Sequence, residues 1–251
     1  MKVAIITGGS KGLGAALATE MFQYGMKVIS VARTRNEKLE QIAKENQAVF
    51  EQYQCDLSNR KETEELFSSI SKELLQQNAS TIHIVNNAAV VGPIEKIGRI
   101  SSEELEKSLH INILAPMLIN NMFTAVFQNT STQLIVVNIT SGAANHPVHG
   151  WSVYGPTKAA LDLYTETAAL EQTEGEQKPV FISFNPGVMD TEMQTEIRSA
   201  TKDNFKDVEK FKEYKEKSIL RTPNLVAEKL AKLMTGESLE TGKVYKINDL
   251  L

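Results

Sequence analysis

Short apolar runs punctuate the chain at residues 3–7, 27–31, 48–54, 81–85, 134–139, 180–184 and 243–247. Each has the length of a buried strand. Between them apolar residues recur at helical spacing: Leu13, Leu17, Met21 and Phe22 mark one helix, and Leu66, Ile70, Leu74 and Leu75 another. Strand and helix in alternation predict an α/β fold whose parallel sheet is covered on both faces. No internal repeat, low-complexity tract or Pro/Gly/Ser-rich linker divides the chain, so residues 1–251 are read as one domain. The most polar stretch, 191–217, carries many Lys, Glu and Asp residues. It reads as a solvated helical excursion at about 190–217, a candidate substrate lid, and not as a domain boundary.

Composition narrows the function classes. The charged fraction is 23% and the formal net charge −4, which points away from nucleic acid and from anionic membranes. The single cysteine, Cys55, excludes an intrachain disulfide and suits a reducing compartment. Its place in an apolar-patterned strand marks it as a core residue. Glycines follow the first apolar run at once, unlike a secretory leader, and no window reads as a membrane span; a cytoplasmic protein is expected. His83, His110, His146 and His149 show no metal-ligand spacing with acids or the cysteine, so no metal is expected. His146 and His149 fall in a loop position, where one of them is a candidate for the substrate mouth.

The first strand runs into Gly8, Gly9, Ser10, Lys11, Gly12, Leu13 and Gly14, and a helical pattern follows. Such a turn brings backbone close to a pyrophosphate and aims a helix N-terminus at it. Its spacing differs from the dinucleotide fingerprint G-x-G-x-x-G, and a glycine turn alone also serves as a tight strand-to-helix connection. After the second strand comes Ser30-Val31-Ala32-Arg33-Thr34-Arg35, with no acid to accept a ribose 2′-hydroxyl. Arg33, with Lys11 as a second cation, favours the 2′-phosphate of NADP over NAD.

Tyr154 and Lys158 stand at i and i+4 of a helical stretch, so a phenol and an ammonium share one face. A phenol with an unperturbed pKa near 10 is a slow acid at neutral pH. An ammonium about 4 Å away, at an effective dielectric of about 20, favours tyrosinate by up to ~4 kcal/mol. The pair therefore suits tuned proton transfer to a forming alkoxide. Ser141 follows the apolar run 134–139, at the carboxyl end of a strand where open α/β sheets bind ligands. It is placed to hydrogen-bond a carbonyl oxygen as charge develops. Asn112 stands between two isoleucines, where a polar side chain is more often a satisfied core amide than a catalyst.

Taken in order, these motifs resemble the short-chain dehydrogenase/reductase family over nearly the whole chain. Its T-G-x-x-x-G-x-G turn matches Thr7, Gly8, Gly12 and Gly14; its adenine-side acid and apolar pair matches Asp56-Leu57. Its N-N-A-G motif matches Asn86-Asn87-Ala88, with Ala89 where glycine is usual. Its Asn, Ser, Tyr and Lys tetrad matches Asn112, Ser141, Tyr154 and Lys158, and its P-G motif matches Pro186-Gly187, followed by Val188 and by Thr191 at the nicotinamide carboxamide. The resemblance implies a doubly wound (Rossmann) fold with a seven-stranded parallel sheet in the order 3-2-1-4-5-6-7. It also implies cofactor contacts at Gly8, Ser10, Lys11, Gly12, Leu13, Gly14, Arg33, Asp56, Leu57, Asn87, Ala88, Tyr154, Lys158, Pro186, Gly187, Val188 and Thr191. A homodimer or homotetramer is implied by the helical stretches 101–127 and 152–171, which match the family's pairing helices.

Within the family the chain is most similar to the sepiapterin reductase and benzil reductase group, by Ile139 to Ala144, by Gly150 to Tyr154 and by Pro186 to Met193. The activity implied is NADPH-dependent reduction of a ketone or 1,2-diketone, benzil to (S)-benzoin foremost. Ser141, Tyr154, Trp151, Met189 and Met193 would then form the substrate wall, and Asn112 would order a water that returns the proton to Tyr154. A pterin side-chain reductase is the alternative, with Asp249 as ring anchor. An NADPH-binding protein without catalysis has no need of the Tyr–Lys pair. An extended epimerase would require a larger C-terminal region.

Overall fold

Strand β1 (Lys2–Thr7) reads KVAIIT, and every residue after the lysine is buried. The strands that follow are β2 (Lys27–Ala32), β3 (Phe50–Gln54), β4 (Thr81–Asn86), β5 (Gln133–Ile139), β6 (Val180–Asn185) and β7 (Val244–Lys246). They form one sheet in the order β3-β2-β1-β4-β5-β6-β7, and every neighbouring pair is parallel. This computed structural model describes residues 1–172, 177–236 and 239–251.

Because strand side chains alternate between faces, each run supplies two cores. Ala4, Ile6, Val28, Val85, Val137 and Phe184 face α1 (Gly12–Gln23), α2 (Glu37–Glu45) and α9 (Pro223–Thr235). Val3, Ile5, Ile29, Ile84, Val136 and Phe181 face α3 (Arg60–Gln76), α5 (Ala115–Phe127) and α6 (Tyr154–Glu171). Sheet order reverses between β1 and β4, and a crevice opens outside the carboxyl ends of the strands at that switch point. The helices left to name are α4 (Ser102–Leu109), α7 (Glu192–Ser199) and α8 (Val208–Glu216).

Several boundaries depart from the sequence reading. Strand β3 begins at Phe50, not at 48, because the end of α2 takes the backbone first. Gln47 turns to φ 52°, and Ala48 N–H donates to Ala43 O at 2.9 Å, a helix C-terminal closure. Cys55 lies just past β3 and not within it; it is buried, and burial, with Glu62 adding, pushes its thiol up to about 11. α4, a π turn (His110–Leu114) and α5 form one rod from Ser102 to Phe127. By length and composition that rod is apolar enough to cross a membrane, which the sequence reading missed. Its Ile111, Ala115, Ile119, Phe123 and Phe127 instead pack into the core beside α3, where Phe67 meets Phe123 edge to face at 6.5 Å.

The stretch 191–217 is helical, as expected, but it is not simply solvated. Ile197, Phe205 and Val208 are buried and pack with Val91, Ala143, Trp151 and Tyr154 in a third cluster. Its middle is tied down. Asp203 pairs with Lys96 and Arg99, and Asn204 donates to Glu95 at 2.7 Å. Gly150 makes that approach possible: a Cβ there would meet Asn204 O at 2.2 Å, and its φ is +89°.

Candidate active site

The carboxyl ends of β1, β2, β4, β5 and β6 open on one cavity of about 920 Å³, within the range of small-molecule and cofactor sites. One end is the glycine turn. Gly8, Ser10, Lys11, Gly12 and Leu13 line it. Helix α1 starts there without any side-chain cap, whereas Asn36, Asn59, Ser101 and Thr222 cap α2, α3, α4 and α9. Its free N–H groups and positive dipole end therefore suit a phosphate. Gly14 does not line the cavity, contrary to expectation. It is the packing glycine of the turn: a Cβ there would meet Gly8 O at 2.3 Å and Asn87 Nδ2 at 2.7 Å. Asn87 donates through Nδ2 to Thr7 O at 2.9 Å and so holds the β1 and β4 loops together.

The cavity continues past Arg33, Asp56 and Leu57, then past Asn87 and Ala88, to Pro186, Gly187, Val188 and Thr191. The Ser58 backbone N–H bonded to Asp56 holds that carboxyl below its ordinary range; the Ser58 hydroxyl and Arg33 add to the effect. Arg33 has Thr34 and Ser10 beside it, their hydroxyls 3.3 Å apart. The second expected cation is engaged elsewhere, since Lys11 pairs with Glu192 of α7. Turn geometry, the uncapped helix and the cavity's lining thus fit a nicotinamide dinucleotide, which the lining residues just named would hold.

Ser141, Tyr154 and Lys158 meet at the other end. Ser141 caps a short turn, its Oγ accepting from Ala143 N at 3.2 Å. Tyr154 and Lys158 open α6 on one face, both buried. Burial raises the Tyr154 phenol above its ordinary value, and the hydrogen bond with Ser141 opposes that. Lys158 Nζ donates to Ile139 O at 2.9 Å and stands 5.8 Å from the Tyr154 ring centroid. Burial pulls the Lys158 ammonium down to about 8 while Asp162 opposes the fall. Burial in this arrangement thus favours the neutral phenol.

Asn112 sits in the π turn, fully buried, and does not line the cavity. Its amide is saturated: Oδ1 accepts from Val90 N and Nδ2 donates to Val90 O, both at 2.9 Å. The side chain thus anchors the loop after β4. Single π turns of this kind occur often at functional sites.

Trp151, Met189, Met193 and His146 line the same cavity. Sequence reasoning missed Asp207, Lys210, Phe211 and Tyr214, which α8 brings to the same cavity. Edge contacts lead outward from the acid: Tyr154 to Trp151 at 5.2 Å, Trp151 to Phe211 at 5.6 Å, Phe211 to Tyr214 at 5.6 Å. The spacing of Phe205, Val208, Phe211 and Tyr214, one helical turn apart each time, was the signal available. Asp249 is exposed in the C-terminal turn and does not line the cavity.

Comparison with known proteins agrees with this geometry. The short chain dehydrogenase family model matches residues 2–202. A benzil reductase ((S)-benzoin forming) of Bacillus subtilis is 40% identical over 252 residues, covering 100% of both chains. A protein of the same description from Bacillus cereus is 34% identical, covering 99% of this chain and 100% of its own. Among solved structures, the KRED1-Pglu enzyme superposes with a TM-score of 0.82 at 25% identity, covering 97% of this chain and 100% of its own. A match across four-fifths of the sequence, together with relatives matched over their full length, places this chain in the short-chain dehydrogenase/reductase family of oxidoreductases.

Proposed function

We propose that the protein is an NADPH-dependent carbonyl reductase acting on ketones and 1,2-diketones, with benzil to (S)-benzoin as its best-fitting reaction. The observation that carries the reading is a buried Tyr154 that shares one cavity with Ser141 and Lys158 and is backed by an aromatic and thioether wall. When bound, NADPH supplies the hydride. Ser141 Oγ–H holds the carbonyl oxygen, and Tyr154 gives its proton to that oxygen as the π pair moves there. An alkoxide is a far stronger base than a phenolate, so a raised phenol pKa does not block the transfer. Lys158, as ammonium, steadies the tyrosinate left behind and binds the cofactor ribose. Asn112 fixes the loop after β4 that carries Ala88 and Val90 to the site.

NADPH over NADH is supported by Arg33 and by the lack of an acid after β2; Arg33→Asp is expected to reverse the preference. The wall of Trp151, Phe211, Tyr214, Met189 and Met193 suits flat aromatic groups and adapts to them. The pterin alternative loses its anchor, because Asp249 is exposed outside the cavity. The reading includes a homodimer or homotetramer. Leu105 and Leu109 of α4, Met117 of α5, and Leu163 and Leu170 of α6 are large exposed apolar residues on the helices in question, the last two at 65% and 77%.

The deciding experiment is Tyr154→Phe assayed by NADPH oxidation with benzil. Turnover is expected to fall by roughly a hundredfold or more, while NADPH binding by fluorescence stays near the parent value. A variant that reduces benzil at close to the parent rate would remove Tyr154 from its role.

A further inference from the structure

Helix α7 links the two ends of the active-site cavity. It starts after Thr191, whose Cγ2 lies 3.5 Å from where a Cβ on Gly12 would stand, and so against the glycine turn. Near its other end Ile197 is buried in the cluster that holds Ala143, Trp151 and Tyr154. Gln194 falls between them, about one helical turn from each. It lines the cavity, yet it is only 6% exposed. Its Oε1 is enclosed and has no hydrogen-bond partner among the described residues. Glu192, Glu196, Asp207 and Lys210, which α7 and α8 bring to the same cavity, are all exposed, so water serves them. A buried amide without a partner is costly, and a ligand in the cavity is what can relieve it.

Arg198 sets the polarity of this amide. It follows Gln194 by one turn on the same flank of α7. Its Nη1 is also enclosed without an acceptor, and the two groups are not bonded to each other. A guanidinium offers donors only. The oxygen of Gln194 therefore suits the Arg198 side, and Nε2, with its two N–H donors, suits the cavity. That donor needs an acceptor. Met189, Met193 and Ile197, which line the same cavity, supply none. Ser141 and Tyr154 serve the reacting carbonyl, so the acceptor is a second oxygen on the substrate.

We propose that Gln194 is a specificity-determining residue: its Nε2 donates to an oxygen on the carbon next to the reacting carbonyl, so that vicinal dicarbonyls are reduced in preference to simple ketones of the same shape. The inference rests on the reading of the cavity as a ketone reductase site. A simple ketone leaves the amide unpaired against apolar side chains, whereas a second carbonyl satisfies it and fixes which of the two carbonyls meets Tyr154.

The test compares benzil with deoxybenzoin, in which a methylene replaces the second carbonyl, on the full-length parent and on Gln194→Met. Benzil is intrinsically the more reactive ketone, but that difference cancels when the benzil-to-deoxybenzoin ratio of kcat/KM is compared between the two proteins. Gln194→Met is expected to lower this ratio by roughly tenfold to a hundredfold, almost wholly through benzil. NADPH binding by fluorescence should stay within about twofold of the parent, as expected of a group with no part in holding the cofactor. Equal losses for both ketones, or an unmoved ratio, overturn the proposal and leave the reductase reading standing. A loss matched by weakened NADPH binding also overturns it, because the amide then belongs to the dinucleotide. A second readout needs no turnover. Trp151 is the only tryptophan and lines the cavity, so quenching of its fluorescence reports ketone binding to protein saturated with NADP⁺. Gln194→Met should weaken benzil binding and spare that of deoxybenzoin. Should the parent fail to reduce benzil, the reductase reading fails by itself, and an unchanged benzil affinity in Gln194→Met overturns the role of Gln194 as well. If Gln194→Met does not fold, Gln194→Glu, which keeps the length and removes both N–H donors, carries the same measurements with the same expected pattern.

Discussion

His83 offers a test of the core that does not depend on any substrate. It sits in β4, on the face that holds Val85 and not the one that holds Ile84, and is 2% exposed. Its Nδ1 has no hydrogen-bond partner. Burial, with the nearby Lys2 charge adding, pulls its pKa down to about 4 from an ordinary 6.5. The native state therefore keeps His83 neutral over a range where the unfolded chain binds a proton. The unfolded state binds more protons between about pH 4 and pH 6.5, so stability rises with pH through that window and is lost as pH falls. The full contribution is roughly 3 kcal/mol, and about 2 kcal/mol of it should be gone by about pH 5. His83→Leu removes both the titration and the unpartnered nitrogen. It is expected to leave stability at neutral pH unchanged or slightly higher, and to flatten the loss between about pH 6.5 and pH 5 by about 2 kcal/mol relative to the parent. Urea unfolding followed by circular dichroism at a series of pH values measures both. Parallel pH curves for parent and variant would mean that His83 is protonated, or solvated, in the folded protein.

Other expectations concern the site and the surface. Glu192→Gln releases Lys11 from its exposed ion pair, so the NADPH-to-NADH preference should rise severalfold; an unchanged ratio means Lys11 does not reach the 2′-phosphate. Phe205→Ala removes a fully buried ring tilted against Trp151, with centroids 5.0 Å apart. It should cost about 3–5 kcal/mol, read as a drop of roughly 10 °C in Tm, and should raise KM for benzil; loss of stability with KM unchanged would separate Trp151 from the substrate. Leu163→Glu combined with Leu170→Glu should reduce the mass seen by light scattering to that of one chain, and a parent already at that mass would end the oligomer reading.

The sheet was legible because its strands are short apolar runs bounded by turn residues, and because a parallel sheet demands a helix between each pair. What failed at boundaries failed for local reasons. The closure at Gln47 took Ala48 from β3, and the 3-10 turn Ile247–Leu250 took Ile247 from β7. The chemistry was legible wherever one motif held all its residues, as Tyr154 and Lys158 do on one turn of α6. It was not legible where partners are remote. Nothing near Lys11 in the sequence announces Glu192, and the spacing of Tyr154 and Lys158 does not reveal that Lys158 turns to Ile139 O. Asn112 could be read as catalyst or as core amide, and the structure gives its side chain the second part. Gly14 was assigned to the cofactor by its place in a motif, while its neighbours show that it serves close packing.

The excursion's contacts bear on how ligands enter. A lid needs a hinge and a weakly held free side. Here the α7–α8 connection is clasped by Lys96, Arg99 and Glu95, with Phe205 seated beneath it against Trp151. In the last turn of α8, Lys215 pairs with Asp190, and beyond the helix Arg221 donates to Asn248 at 2.6 Å. Moving the substrate wall as a body would break these contacts and expose the aromatic cluster at once. At the cofactor half the strap is different in kind. Lys11 and Glu192 face each other with side chains 61% and 71% exposed, and such pairs contribute about 0–1 kcal/mol. The low-cost opening is therefore at the start of α7, over the glycine turn, and the aromatic end stays assembled while it happens. On that argument a dinucleotide meets a site whose proton donor is already in place, and the excursion acts as a fixed wall with one loose corner, not as a flap.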